Sequence, residues 1–174
     1  MSSSSRGTPF TDSERHYVDQ WSLDVYDALK DWSVASPGKW TRWDPGYLLL
    51  EIEAVDNEVI DPILLDTADD ELTVTFGHWE THLPEPLGTG DADGAETAEQ
   101  AKKLVGDWLT GQVKTAVLTD KNGKWCGSML LDSSRPQAEL DEFVESVRDF
   151  KPTKIEIRGP KPNEWTSLPI HSGL

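Results

Sequence analysis

An α+β fold, with a mainly antiparallel sheet of about six to seven strands and three helices, is what this sequence predicts. Three observations lead there. Segments of period-2 alternation follow one another in runs, and strands that are consecutive in sequence usually pair antiparallel. Three other segments carry apolar residues at helical spacing. The chain has 174 residues, enough for one domain with a real core, and shows no repeat of fixed period.

The elements follow in order. Residues 1–10 are Ser-rich and read as a disordered arm, with residues 11–174 as a single α+β domain. Thr11 to Ser13 supply N-caps for a first helix, in which Val18, Trp21, Val25, Leu29 and Trp32 share one face and Pro37-Gly38 ends the run. Lys39 to Asp44 reads as a short aromatic strand before the turn Asp44-Pro45-Gly46. In Tyr47 to Val55, Leu48, Leu50, Ile52 and Ala54 alternate with Glu51 and Glu53, the pattern of a half-buried strand. Val59 to Leu65 contains Pro62, which cannot donate to a ladder and so predicts an edge or a bulge. Glu71 to His82 reads as one long strand with Leu72, Val74 and Phe76 inward.

Leu83 to Gly94 is rich in Pro, Gly and Asp, and 84–95 is the one candidate for a subdomain break, with a single continuous sheet as the expectation. Thr97 with Gln100 forms a capping-box pattern for a second helix that stops at Gly111, with Ala101, Leu104, Val105 and Trp108 on its inner face. Val113 to Thr119 and Lys124 to Leu131 read as a hairpin around Asp120 to Gly123. Ser134 with Gln137 opens a third helix striped by Leu140, Phe143, Val144 and Val147. Thr153 to Arg158 is a last strand, and the Pro-rich tail from Gly159 is extended and pinned by Trp165.

Charge narrows the function. The 32 acidic residues against 16 basic ones give a formal net of −16, so nucleic acid and anionic membrane are disfavoured and a basic partner is favoured. Eight tryptophans set the chain apart from disordered acidic sequences. Cys126 is the only cysteine, which removes internal disulfides and thiolate zinc sites and leaves a buried structural thiol as the simplest reading. There is no signal-peptide pattern at the N-terminus and no apolar run near the roughly 20 residues of a membrane helix, so a cytoplasmic protein is expected. No G-x-S-x-G elbow and no phosphate-binding loop is present. Nothing in the sequence sets the oligomeric state.

Two constellations carry chemistry. On an unbroken strand, His78, Glu80 and His82 would project from one face and could offer two imidazoles and a carboxylate to one divalent metal, the only cofactor the sequence suggests. Glu51 and Glu53 would share a strand face, as an acid/base dyad or as part of an acidic patch. Trp79 on the opposite face, with Glu80, Glu85, Asp91 and Asp93 around it, has the composition of an interaction hot spot with charge steering.

The segment Phe76-Gly77-His78-Trp79-Glu80-Thr81-His82, followed by a loop and a helix, resembles uncharacterised small acidic bacterial α+β proteins, some similar to immunity proteins of polymorphic toxins. That resemblance implies a non-catalytic inhibitor of a basic toxin. The leading expectation is therefore an acidic protein-binding domain. The alternatives are a metal-dependent enzyme or metal-binding module using His78, Glu80 and His82, and a housekeeping domain whose acidity serves solubility or salt adaptation.

Overall fold

The computed structural model describes residues 7–53, 62–84, 93–132, 136–161, 163 and 165–170. The fold is α+β, with ten strands in two antiparallel sheets and three α-helices among the described residues. The sheet expected to be continuous is two sheets, one of six strands and one of four. The described residues form two compact units. The first holds 7–53, 62–76, 80–84 and 93–103, and the second holds 77–79, 104–132, 136–161, 163 and 165–170. The division is thus not a single cut within 84–95.

The first unit is organised by the six-stranded sheet, β1 (Thr8–Pro9), β2 (Lys39–Trp43), β3 (Tyr47–Ile52), β4 (Ile63–Asp66), β5 (Leu72–Phe76) and β6 (Trp79–Leu83), each beside its neighbour in sequence. Leu48, Leu50 and Ile52 of β3, Ile63 and Leu65 of β4, and Leu72, Val74 and Phe76 of β5 are all buried, as their alternation predicts. Four expectations change here. Residues 7–10 are not a free arm: β1 pairs with β2, and Phe10 is buried against Tyr26 in a T-shaped contact. One aromatic anchor outweighs a polar composition, while residues 1–6 lie outside the described set. The strand containing Pro62 is not at an edge, because β4 begins after that proline and sits between β3 and β5. Residues 54–61 of the expected strands lie outside the described residues.

The first helix also divides. A 3-10 turn covers Asp12–Tyr17, Val18 is extended at φ −114°, and α1 runs Gln20–Leu29. Asp19 wins the cap: its carboxylate accepts from Ser22 N at 2.7 Å, which restarts the helix and leaves Trp32 beyond its end. The fourth change is the strand expected over Glu71 to His82, which is broken by a two-residue turn at Gly77 (φ 56°) and His78 (φ 64°), giving the hairpin β5–β6. Paired positive φ values are the signature of the tight turn that matches strand twist.

α2 (Gly94–Leu109) begins three residues before the expected Thr97 cap. Asp93 accepts from Ala95 N at 3.1 Å, and Thr97 is buried inside the helix with its hydroxyl donating to Asp93 O. Gly94 is required by proximity, since a Cβ there would meet Trp21 O at 2.8 Å. At the other end Gly111 (φ 75°) closes the helix, with its N–H on Trp108 O and that of Gln112 on Asp107 O.

The second unit contains the four-stranded sheet, in the order β10 (Thr166–Pro169), β9 (Lys154–Arg158), β7 (Val113–Thr119), β8 (Trp125–Asp132). The β7–β8 turn is held by Asp120, whose carboxylate accepts from Asn122 N and Lys124 N. α3 (Pro136–Ser146) lays Leu140, Phe143 and Val144, with Val147 just beyond, over Ala116, Leu118, Cys126, Leu131 and Ile155. The expected Ser134 cap lies outside the described residues. The tail is pinned as expected: Trp165 Nε1 donates to Gly159 O at 3.0 Å, and the Arg158 guanidinium lies 4.5 Å from the Trp165 ring.

Candidate interaction face

Register across the six-stranded sheet fixes what its outer face presents. Thr41 lies opposite Leu49, Leu49 opposite Asp66, and Asp66 opposite Thr73, so these four stand in one row on the side away from Leu48 and Leu50. The next row is Lys39, Glu51, Leu64 and Thr75. Trp43 and Tyr47 face each other at one end, their rings 6.5 Å apart and inclined by 13°. On β6, Glu80 and His82 are exposed, alternating with Trp79, Thr81 and Leu83.

The electrostatics of this face are acidic. Lys39 Nζ binds Glu53 at 2.7 Å. Glu51 and Glu80 are exposed and make no ion pair among the described residues. Burial pushes the carboxyl of Asp66 up, an effect opposed by the Ala68 N–H it accepts and reinforced by Asp69. Tyr47 is raised first by burial and then by Asp66 and Asp69. The turn after β4 adds Asp69 and Asp70, both exposed at positive φ. Its Thr67 is buried and does structural work: Thr67 Oγ1 accepts from Leu48 N at 2.8 Å and meets Ser22 Oγ at 2.6 Å. That pair ties the start of α1 to the sheet.

The sequence-predicted residues distribute as follows. His78 is exposed in the hairpin turn, which takes it out of the alternation that was to align it with Glu80 and His82. Those two do share a face of β6. His82 Nδ1 lies 2.8 Å from Glu71 Oε1 and 3.0 Å from Thr73 Oγ1. Among the described residues no three His, Cys, Asp or Glu side chains gather to hold a metal ion. Trp79 is half-buried and Asp93 is spent capping α2, while Glu85 and Asp91 lie outside the described residues. Glu51 and Glu53 are both exposed, and Glu53 is the one bound to Lys39. Cys126 is buried with its thiol 3.5 Å from the carbonyls of Lys124 and Phe150, and burial raises it away from the thiolate form.

Missed by sequence reasoning were Glu71 and Thr73 as partners of His82, and the concentration of charge in one unit. Among the described residues the first unit carries 17 acidic against 6 basic residues, a net of −11. The second carries 9 against 8, a net of −1. No helix among the described residues is long and apolar enough to cross a membrane. Compared with protein-family models, curated proteins and solved structures, the chain matches none.

Proposed function

We propose that this protein is a non-catalytic binding domain that docks a basic protein on the outer face of its six-stranded sheet, as an immunity-type inhibitor of a basic toxin would. The observation that carries the reading is the segregation of charge, net −11 in the first unit against −1 in the second. A charge spread for solubility alone has no reason to collect in one unit. On the proposed face, Glu51 and Glu80 offer exposed carboxylates that form no ion pair among the described residues, although Glu51 stands opposite Lys39, and the stacked Trp43 and Tyr47 lie at one end of the same sheet. Aromatic rings supply contact area and the carboxylates supply steering, which speeds encounter more than it deepens affinity. Inhibition would follow from the face mimicking a polyanionic substrate and covering the partner's active site.

The test is affinity capture at low salt from a lysate of the source cells, eluted by rising salt and identified by mass spectrometry. A single basic protein released at intermediate salt, and lost when the bait carries Glu51→Gln with Glu80→Gln, supports the reading. No retained basic protein, or one indifferent to both changes, refutes it.

A further inference from the structure

We infer that β8 is a self-association edge, at which a second copy of this chain adds its own β8 antiparallel to extend the four-stranded sheet. The inference is independent of the proposed acidic docking face. Each sheet has two edges, and a strand edge with free N–H and C=O groups recruits another strand unless something guards it. Three of the four are guarded. β1 has only two residues, one of them Pro9. β6 presents Glu80 and His82. β10 has four residues and ends in Pro169, which has no N–H to donate.

β8 differs from all three. It has eight residues, Trp-Cys-Gly-Ser-Met-Leu-Leu-Asp, with no proline and one charge, at its last position. β7 pairs with one side of it, and among the described residues no other strand pairs with the outer side. A register shift opposite Leu118 and Thr119 disturbs only its start, and Gly127 to Asp132 stay in regular pairing with β7. Trp125 at the head of the strand is 58% exposed, one of the few large apolar side chains left in solvent.

Charge selects a second copy as the occupant. Two chains of formal net −16 repel, so they can meet only where the local charge is small. The second unit, near neutral among its described residues, meets that condition and the first does not. Asp132 is the sole charge of β8, so no antiparallel register centred before that residue sets like charges opposite each other. Antiparallel pairing of a strand with its own copy is isologous and closes as a dimer with no further contact surface required.

The experiment is sedimentation velocity on the full chain over a concentration series, paired with hydrogen exchange of amides 127–132. The expected result is a two-chain mass that dissociates on dilution, with those amides gaining protection as concentration rises. Ser128→Lys, which sets ammonium groups against each other near the centre of the pairing, should return the one-chain mass. A one-chain mass throughout overturns the inference, as does a dimer whose 127–132 amides ignore concentration. If Ser128→Lys disturbs folding, the exchange of the unaltered chain decides alone.

Discussion

The two units solve the same problem, a helix on an antiparallel sheet, with different forces. In the first, the start of α1 is fixed by a buried polar link: Asp19 caps the helix, Ser22 Oγ reaches Asp19 Oδ2 at 2.8 Å, and Ser22 and Thr67 meet with exposures of 0% and 1%. In the second, α3 is held by an apolar seam, with Leu140 on Ala116, Leu118, Leu131 and Ile155. Their surfaces diverge too. β9 of the second unit neutralises itself, with Glu156 between Lys154 and Arg158 and held below the usual carboxylate range, mainly by its hydrogen bond from Lys154. The first unit leaves Glu51 and Glu80 exposed and outside any ion pair among the described residues, with one lysine, Lys39, opposite Glu51 and bound to Glu53. Directional bonds orient the helix of one unit while its open face stays acidic, and the other unit relies on burial and carries nearly balanced charge among its described residues.

Truncating the apolar seam should give the largest effect. Leu140→Ala is expected to cost about 2–5 kcal/mol through lost burial and a cavity, read as a lowered denaturation midpoint. Hydrogen exchange should show the loss in the second unit, and equal loss in both would mean that the division into units has no energetic meaning. Thr67→Val comes next. It keeps the shape but strands the Leu48 N–H and removes one of the Ser22 hydroxyl's partners, at about 1–3 kcal/mol, with α1 amides exchanging fastest. If Thr67→Val is neutral, packing rather than the polar link orients α1.

A smaller effect attaches to Asp27, bound by Arg15 in a bidentate pair and by Lys30 at 2.9 Å. Its carboxyl is lowered from 3.8 to about 2, first by the hydrogen bonds from Arg15 and against the opposing effect of burial. A folded-state value below the unfolded one stabilises the fold above pH 3.8 and loses that contribution as pH falls toward 2. The side chain is 40% exposed, so solvent screening keeps the effect small. Asp27→Asn should therefore be slightly less stable than the natural chain at pH 6, and the gap should shrink to a small fraction of that as pH falls to 2. A gap that persists there would assign the effect to packing.

Where side chains alternate on one continuous strand, the sequence was a sufficient guide. Leu48, Leu50 and Ile52 face inward for the same reason they alternate with Tyr47, Leu49 and Glu51. The α3 stripe and the β7–β8 hairpin were legible for similar reasons, since period and turn chemistry agree locally. The hairpin at Gly77-His78 was hidden, although its signal lies in the residues. Leu72, Val74 and Phe76 occupy even positions and the buried Leu83 an odd one, a change of parity that an uninterrupted strand cannot make. That missed turn is also why the His78, Glu80 and His82 constellation looked continuous. The Ser22–Thr67 link joins residues 45 apart, and the division of charge between units depends on which segments pack together; neither has a local pattern to read.

The central claim is that the first unit, not the second, steers a basic partner. Association rates of the captured partner, measured by stopped flow at low and high salt, test it most directly. The comparison is Glu51→Gln with Glu80→Gln in the first unit against Glu142→Gln with Asp149→Asn, both exposed, in the second. The account predicts that the first pair slows association on the order of tenfold at low salt and flattens the salt dependence, while the second pair changes little. Equal slowing by both pairs, or slowing by the second alone, would contradict it.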